Sequence, residues 1–403
     1  MSDDQAYDQV QSMNVLFMAD VKPEPYSGAS GTEIETIGEL RKLGCQVDEV
    51  WADDLSHRIA HGNLHYLIEL PVSYRSAMLR KLGAKRYDVI HVNQSHGYLA
   101  ARIIHDRFKG SVFIHRSHGF ESRVLRDLSK WRELYEIRRP NQPHAMASSV
   151  LSKLLRRHYV QIARYADGHI VSASQCRDFL VTELGVDIRR VAVIPQSQPD
   201  YYKKMDNPFC AKRLSRILYV GQFAFVKAPM ILGRVFSDLA KMRDDISLTW
   251  VCAKRHHDDA RLLLDPSIRA RVRFLDWMPR EKLREIYDEH GIFLFPSFFE
   301  GFGKSLLEAM SRGLCVIAAD NGGMRDVILN NVSGLKVPTG DSGAMVTSCL
   351  ELLDDPNRAA KISSRAVGAA NQYGWDRVGG ETLKFYKSII RAKLTRFKTS
   401  EIT

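Results

Sequence analysis

IFLFPSFFEGFGKSLLEAM, residues Ile292 to Met310, continues as SRGLCVIAADNGGMRDVI from Ser311 to Ile328 and closes on the glycine-rich turn NNVSGLKVPTGD, Asn330 to Asp341. Ile292 to Phe295 is an unbroken apolar run, preceded by Gly291 and stopped by Pro296, as suits a strand buried in a parallel sheet. From Lys304 to Arg312 the apolar residues Leu306, Leu307 and Met310 share one face, giving a short amphipathic helix ended by Gly313. Cys315 to Ala319 reads as a second buried strand. Strand, glycine loop, helix, strand is one βαβ unit, and the fold class that follows is α/β. A loop at the carboxyl end of a strand directs backbone N–H groups and a helix N-terminus at whatever binds there. An anion is the natural guest.

Two carboxylates belong to this unit, Glu300 in the loop and Glu308 in the helix, with seven residues between them. Lys304 and Arg312 lie four residues to either side of Glu308, so the spacing also fits the middle of an exposed salt-bridge stripe. Glu300 stands beside Gly301 and Gly303, which let the backbone approach a ligand closely. From the residues alone both readings stay open. Taken whole, PSFFEGFGKSLLEAMSRGLCVIAADNGG resembles the donor-site signature of the retaining GT-B glycosyltransferases of family 4. That signature reads P-S-x-x-E-G-F-G-x-x-x-x-E-A-M-x-x-G-x-P-V-I-A, with the same distance between its glutamates.

The resemblance implies two Rossmann-like domains facing each other across a cleft, with a nucleotide-diphosphate sugar held mainly by the second. It implies that Glu300 holds the donor sugar hydroxyls and Glu308 the ribose hydroxyls. Gly301, Phe302, Gly303, Lys304 and Ser305 then form the donor-binding loop and helix start. Further upstream the family pattern G-R-x-x-x-x-K-G, whose arginine and lysine clasp the diphosphate, stands here as Gly221-Gln222 through Lys227-Ala228. The lysine is kept and the arginine is replaced by Gln222. Ala253-Lys254 and Phe274-Leu275-Asp276-Trp277 also lack glycines usual in the family, which leaves the base preference open.

The amino-terminal half repeats the architecture. Asn14 to Met18 opens as a buried strand, and a helix follows in which Thr32 as N-cap and Glu35 three residues on form a capping box, with Gly44 at the end. Val47 to Trp51 is the next strand. Gly31-Thr32-Glu33 resembles the glycine-glycine-x-glutamate turn of the family, with Ser30 in place of its first glycine, and the resemblance puts Gly31 at the donor. Tyr87 to Val92 and Ser111 to Ile114 are further strands, followed by His96 and His118. Position beyond a strand's carboxyl end favours His118 as functional, and the family's histidine in this context faces the donor sugar and the acceptor. From Met146 to Asp167 the chain is helical, with Leu151, Leu154, Leu155, His158, Ile162 and Tyr165 on one face and Lys153, Arg156, Arg157 and Arg164 elsewhere. Such a basic amphipathic helix fits either an anionic membrane surface or a solvated domain face. Gln196 to Arg213, with Pro199 and Pro208 and no apolar period, reads as an interdomain linker.

The expected organisation is an acceptor domain over 13–200, a donor domain over 210–375, and a helix over 376–394 that returns to the first domain. At 403 residues and 45% hydrophobic composition, two such cores are affordable. No apolar run approaches the about twenty residues a membrane span needs, and the start MSDDQAYDQVQSMN is polar and acidic. Neither a signal peptide nor a span is expected. The six cysteines are scattered without metal-ligand spacing, which suits a reduced cytoplasmic protein. The net charge of +11 is uneven: residues 1–100 carry nine Lys/Arg against fourteen Asp/Glu, and 101–164 fourteen against five. That balance suits acidic partners, while no zinc-finger, helix-turn-helix or basic–aromatic RNA-binding pattern points to nucleic acid.

The function expected is retaining transfer of a sugar from a nucleotide-diphosphate sugar to a hydroxyl of a glycan or lipid-linked acceptor, at the inner face of the membrane if the basic helix docks there. No cofactor and no metal is implied, since the nucleotide-sugar is a substrate. Glu300, His118 and Lys227 are the catalytic candidates. Two alternatives remain: an epimerase or hydrolase of the same fold, and a non-catalytic subunit that binds a sugar nucleotide.

Overall fold

The computed structural model describes residues 12–25, 28–60, 62–119, 121–135, 142–203 and 209–400. The chain divides into two units: one runs through Pro195 and resumes at Trp375, and the other spans Gln196–Gly374.

The first unit is built on six parallel strands, β1 (Asn14–Met18), β2 (Gln46–Val50), β3 (Val89–Asn93), β4 (Val112–Ser117), β5 (Gly168–Val171) and β6 (Val191–Val193), in the order β2-β1-β3-β4-β5-β6. The central strands β3, β4 and β5 have the continuous burial of strands covered on both faces, whereas the edge strands β2 and β6 are only partly buried. Helices Gly28–Lys42 and Trp375–Ser400 pack together, closing a core that includes Val15, Phe17, Ile114, Trp375 and Phe385. On the other face Leu70–Ala84, Tyr98–Arg107 and Gln142–Tyr165 cover Leu16, Ile90, Val92 and Phe113. The returning helix is tied down by polar contacts as well. Tyr386 Oη lies 2.5 Å from His91 Nδ1. Lys393 Nζ donates to the Ser111 carbonyl at 2.7 Å and to Asp167 Oδ2 at 2.9 Å.

The second unit repeats the plan with β7 (Arg216–Val220), β8 (Ser247–Val251), β9 (Val272–Leu275), β10 (Ile292–Phe295), β11 (Cys315–Ala319) and β12 (Leu335–Val337), ordered β12-β11-β10-β7-β8-β9. The βαβ unit read from the sequence is present, with Ile292 opposite Cys315 and Phe295 opposite Ala318 in parallel register. Its helix spans Lys304–Ser311 and starts from Gly303, whose φ of +88° is a conformation that L side chains rarely adopt.

Three local expectations fail. The helix after β1 starts at Gly28, a turn before the expected cap. Thr32 therefore lies inside it, its Oγ1 donating to the Gly28 carbonyl at 3.0 Å, and forms no capping box with Glu35. Ser30 organises the entry instead, accepting from Glu24 N and donating to Glu24 O. The expected linker is largely part of the second unit: Gln196, Ser197 and Gln198 are buried, and Tyr202 enters the core around Leu306 and Met310. Within it, residues 204–208 lie outside the described residues. Helices Glu121–Leu134, Pro229–Met242, Arg280–Glu289 and Pro356–Ala370 and strand β12 complete elements that the sequence reading leaves undivided.

Candidate functional site

In the second unit the carboxyl ends of β7, β10 and β11 are neighbours because the strands are. The three loops that leave them are joined by hydrogen bonds. Phe298 N donates to Val226 O at 2.9 Å, Asn321 Nδ2 to Phe298 O at 2.8 Å, and Gly323 N to Glu300 O at 3.0 Å. Gly322, at φ +54°, sits so close to Glu300 that an added Cβ would lie 2.0 Å from its carbonyl oxygen. A side chain there would push the glutamate loop away, so the second glycine pair of the motif is fixed by packing.

The loops bring Lys227 and Glu300 together. Lys227 Nζ lies 2.5 Å from Glu300 Oε1, which also accepts from Ser297 Oγ at 2.9 Å. The lysine side chain is 21% exposed and the glutamate 9%, so the pair lies at a surface but is screened from most water. Lys227 closes a short turn, Phe225–Lys227, followed by Ala228 at φ +51°. Left-handed backbone at that point explains why a glycine after the lysine suits the loop, and Ala228 holds it with a strain of about 1–2 kcal/mol. Gln222 is exposed, with its carbonyl accepting from Ala224 N at 3.0 Å. Phe302 packs into the core, and Gly301, Lys304 and Ser305 are half-buried at the helix start.

Glu308 is not the centre of an exposed stripe. It is buried; Tyr287 Oη donates to its Oε2 at 3.0 Å and lies 3.3 Å from the Ser305 carbonyl. Burial raises its carboxyl above the usual range, against the pull of Arg280, the Tyr287 hydrogen bond and Lys304. Arg312 turns the opposite way and is fully buried, with Nε and Nη2 donating to Asp288 at 2.6 and 2.8 Å and Nη1 to the Tyr202 carbonyl at 3.1 Å.

In the first unit His118 follows β4 directly, and its Nε2 donates to Glu33 Oε1. Glu33 Oε2 lies 4.0 Å from Arg116 Nη1, which donates to Thr36 Oγ1 at 3.1 Å. Glu33 and Arg116 are completely buried. Burial opposes ionisation of Glu33, but Arg116 and then His118 hold its carboxyl down at about 2. Gly31 lies in the same helix as Glu33, buried within it rather than in a turn. His96 belongs to a separate aromatic group, stacked on Tyr66 and packed against His158. Among the described residues no three His, Cys, Asp or Glu side chains group as metal ligands. Sequence reasoning missed Tyr287, Ser297 and Arg116 as partners of the candidate residues. Only Glu33 carried a signal, through the turn it shares with Gly31.

Residues 215–355 match the family described as "Glycosyl transferases group 1", and residues 25–196 match the "Glycosyl transferase 4-like domain". The chain belongs to the group 1 glycosyl transferases. Among curated relatives of this family, a D-inositol 3-phosphate glycosyltransferase of Rhodococcus jostii is 26% identical over 56% of this chain and 54% of its own. A second, from Catenulispora acidiphila, is 27% identical over 59% and 60%. The chain thus spans about half the length of the curated relatives it matches. A sucrose-phosphate synthase from Thermosynechococcus elongatus superposes with a TM-score of 0.71 at 18% identity, covering 94% of this chain and all (100%) of the other. HepE of Anabaena, solved in complex with UDP, gives 0.64 at 15% over 93% and 100%. At these identities the likeness is one of fold, and the fold is that of the GT-B glycosyltransferases: α/β, with two Rossmann-like units.

Proposed function

We propose that this chain is a retaining glycosyltransferase that moves a sugar from a nucleotide-diphosphate sugar to an acceptor hydroxyl of a glycan or glycolipid. The observation that carries the reading is the joining of three strand-end loops around the Lys227–Glu300 pair, beside the helix N-terminus at Lys304. Cleaving the sugar–phosphate bond leaves negative charge on a diphosphate. An ammonium and a helix N-terminus in a partly dehydrated site stabilise that charge without a metal. In this reading Lys227 serves the diphosphate, Glu300 holds the sugar hydroxyls, and Glu308 holds the ribose. His118 touches the transferred sugar. Retention follows from front-face attack, the leaving phosphate taking the acceptor proton, so no enzymic nucleophile is required. The reading is supported by HepE, solved with UDP and with UDP-glucose, and by relatives named D-inositol 3-phosphate glycosyltransferase.

A thermal-shift screen of uridine, guanosine and adenosine diphosphate sugars tests it. A ligand at a hundred times its dissociation constant should stabilise the folded chain by about 2.7 kcal/mol. Glu300→Gln should abolish sugar transfer while leaving melting close to wild type. Retention of near-normal transfer would remove Glu300 from the site, and turnover of the donor without an acceptor would favour an epimerase or hydrolase.

We further propose an anionic membrane as a surface for the first unit. Lys153, Arg156, Arg157 and Val160 are exposed on the helix Gln142–Tyr165, which packs against residues 65–69. Leu64, Ile68 and Val72, spaced four residues apart nearby in the chain, are also exposed. Apolar side chains beside basic ones suit a charged lipid surface. The side chains of residues 142–152, Leu151 among them, lie outside the described residues. No helix among the described residues is long and apolar enough to cross a membrane.

A further inference from the structure

A hollow of about 500 Å³ lies at the open edge of the first sheet, between the edge strand β2 and the helix Leu70–Ala84. The sequence explains why it stays open. Ala77, Arg80, Lys81 and Ala84 recur at intervals of three and four, so they share one face of the helix, and the two alanines are too short to close the gap. Asp48 and Val50, two residues apart on β2, point to the same side. Tyr87 Oη donates to Asp48 Oδ2 at 2.6 Å and Lys85 Nζ does so at 3.1 Å, which fixes that carboxylate at the wall. Its Oδ1 receives no hydrogen bond among the described residues, and Asp54 likewise engages only Oδ2, accepting from Trp51 N at 2.8 Å. Arg80 and Lys81 form no ion pair and no side-chain hydrogen bond among the described residues. A helix dipole favours basic residues in the last turn, but it does not account for two unpaired cations and two half-used carboxylates around one hollow.

We infer that this hollow is a second binding site, taking a small phosphate ester that also carries hydroxyl groups. Arg80 and Lys81 take the phosphate as charge-assisted donors, and the open oxygens of Asp48 and Asp54 accept from the hydroxyls. An anion without hydroxyls would meet the two carboxylates with nothing to donate, and a neutral sugar would leave both cations unmatched. The volume falls in the range of small-molecule sites. None of the residues that line it belongs to the loops carrying Lys227 and Glu300 or to the strand end at His118. The inference therefore stands apart from the glycosyltransferase reading. Soluble sugar phosphates and the head groups of anionic lipids share this chemistry.

Titration calorimetry of the full chain at low salt should show glucose 6-phosphate binding at least about ten-fold more tightly than inorganic phosphate, and glucose not binding at all. Arg80→Gln and Lys81→Gln together should weaken glucose 6-phosphate at least about ten-fold, the worth of one hydrogen bond to a charged group. Asp48→Asn with Asp54→Asn should narrow its advantage over phosphate. All four side chains reach solvent, so melting close to wild type is expected and shows that the fold is kept. Lys227→Ala should leave the affinity unchanged, and UDP should not displace the ester. Glycerophosphoglycerol, the deacylated head group of an anionic lipid, is the comparison, and whichever compound binds more tightly names the source. Displacement by UDP, an affinity untouched by Arg80→Gln and Lys81→Gln, or no binding of either ester overturns the inference. Absence of sugar transfer would remove the functional reading and leave this result unaffected.

Discussion

Lys227 Nζ and Ser297 Oγ converge on one oxygen of Glu300. An ammonium has three donors, and this contact occupies one, so the lysine can grip a phosphate oxygen without abandoning the glutamate. If Lys227 carries the fixed charge at the diphosphate, Lys227→Ala should weaken nucleoside-diphosphate binding and turnover by about one to two powers of ten, the worth of a hydrogen bond to a charged group. The loss should exceed that for Lys254→Ala, since Lys254 is an exposed residue of another loop. Titrating UDP into both variants measures the difference, and unaltered affinity in Lys227→Ala would refute the role. Gln222→Arg supplies the contrast: tighter diphosphate binding is expected where a cation has merely been lost, because Gln222 is exposed and an arginine has room.

At the scale of single elements, continuous patterns could be read and contacts between distant elements could not. The runs Asn14–Met18, Ile292–Phe295 and Cys315–Ala319 are the strands β1, β10 and β11 with the boundaries expected, because a strand buried on both faces needs little beyond its own apolar residues. The glutamate loop was legible because its glycines are required by φ and by close approach. Arg312 was not. Its spacing from Glu308 suggested a helix pair, but the helix Lys304–Ser311 is covered by Pro356–Ala370 and Arg280–Glu289, so its arginine pairs with Asp288 instead. Removing one partner of a buried ion pair typically costs about 3–5 kcal/mol. Arg312→Ala should destabilise the second unit by about that amount in denaturant titration, whereas an exposed stripe residue would cost under 1 kcal/mol, about the worth of a surface pair. The basic helix Gln142–Tyr165 calls for a binding measurement. The chain should co-sediment with anionic vesicles and be released by salt, and replacing Lys153, Arg156 and Arg157 together by Gln should abolish this. Equal binding to neutral vesicles at high salt would remove the electrostatic explanation.

Across the whole molecule the two units should differ in their response to acid. The first buries five histidines whose rings are pushed down by burial: His91 and His115 to about 3, His96 and His158 to about 4, and His169 well below its usual value. Each stays neutral in the folded unit and takes up a proton on unfolding. Their contribution is therefore full above pH about 6.5 and is lost as the pH falls towards about 4, with a slope of up to about 1.4 kcal/mol per histidine per pH unit. Glu33, held at about 2, adds to the loss below its unfolded value of about 4.5. The second unit has His290, pushed down by burial to about 4, while its Glu308 is raised by burial and works in the opposite direction. Hydrogen exchange at pH 7 and pH 5, corrected for intrinsic rates, should show β3 and β4 losing protection while β10 and β11 keep it. Equal loss in both units would count against the histidine cause.

The returning helix Trp375–Ser400 has a consequence for how the molecule is made. Trp375, Val378, Phe385, Tyr386 and Ile389 complete the core over β1 and β4, but they follow the whole of Gln196–Gly374 in the chain. During synthesis the second unit has every residue it needs before that helix leaves the ribosome, while the first still exposes part of its interior. Maturation therefore runs against the direction of translation. The half that emerges first is the half that must wait, its core closed only by a helix translated after the whole of the other unit.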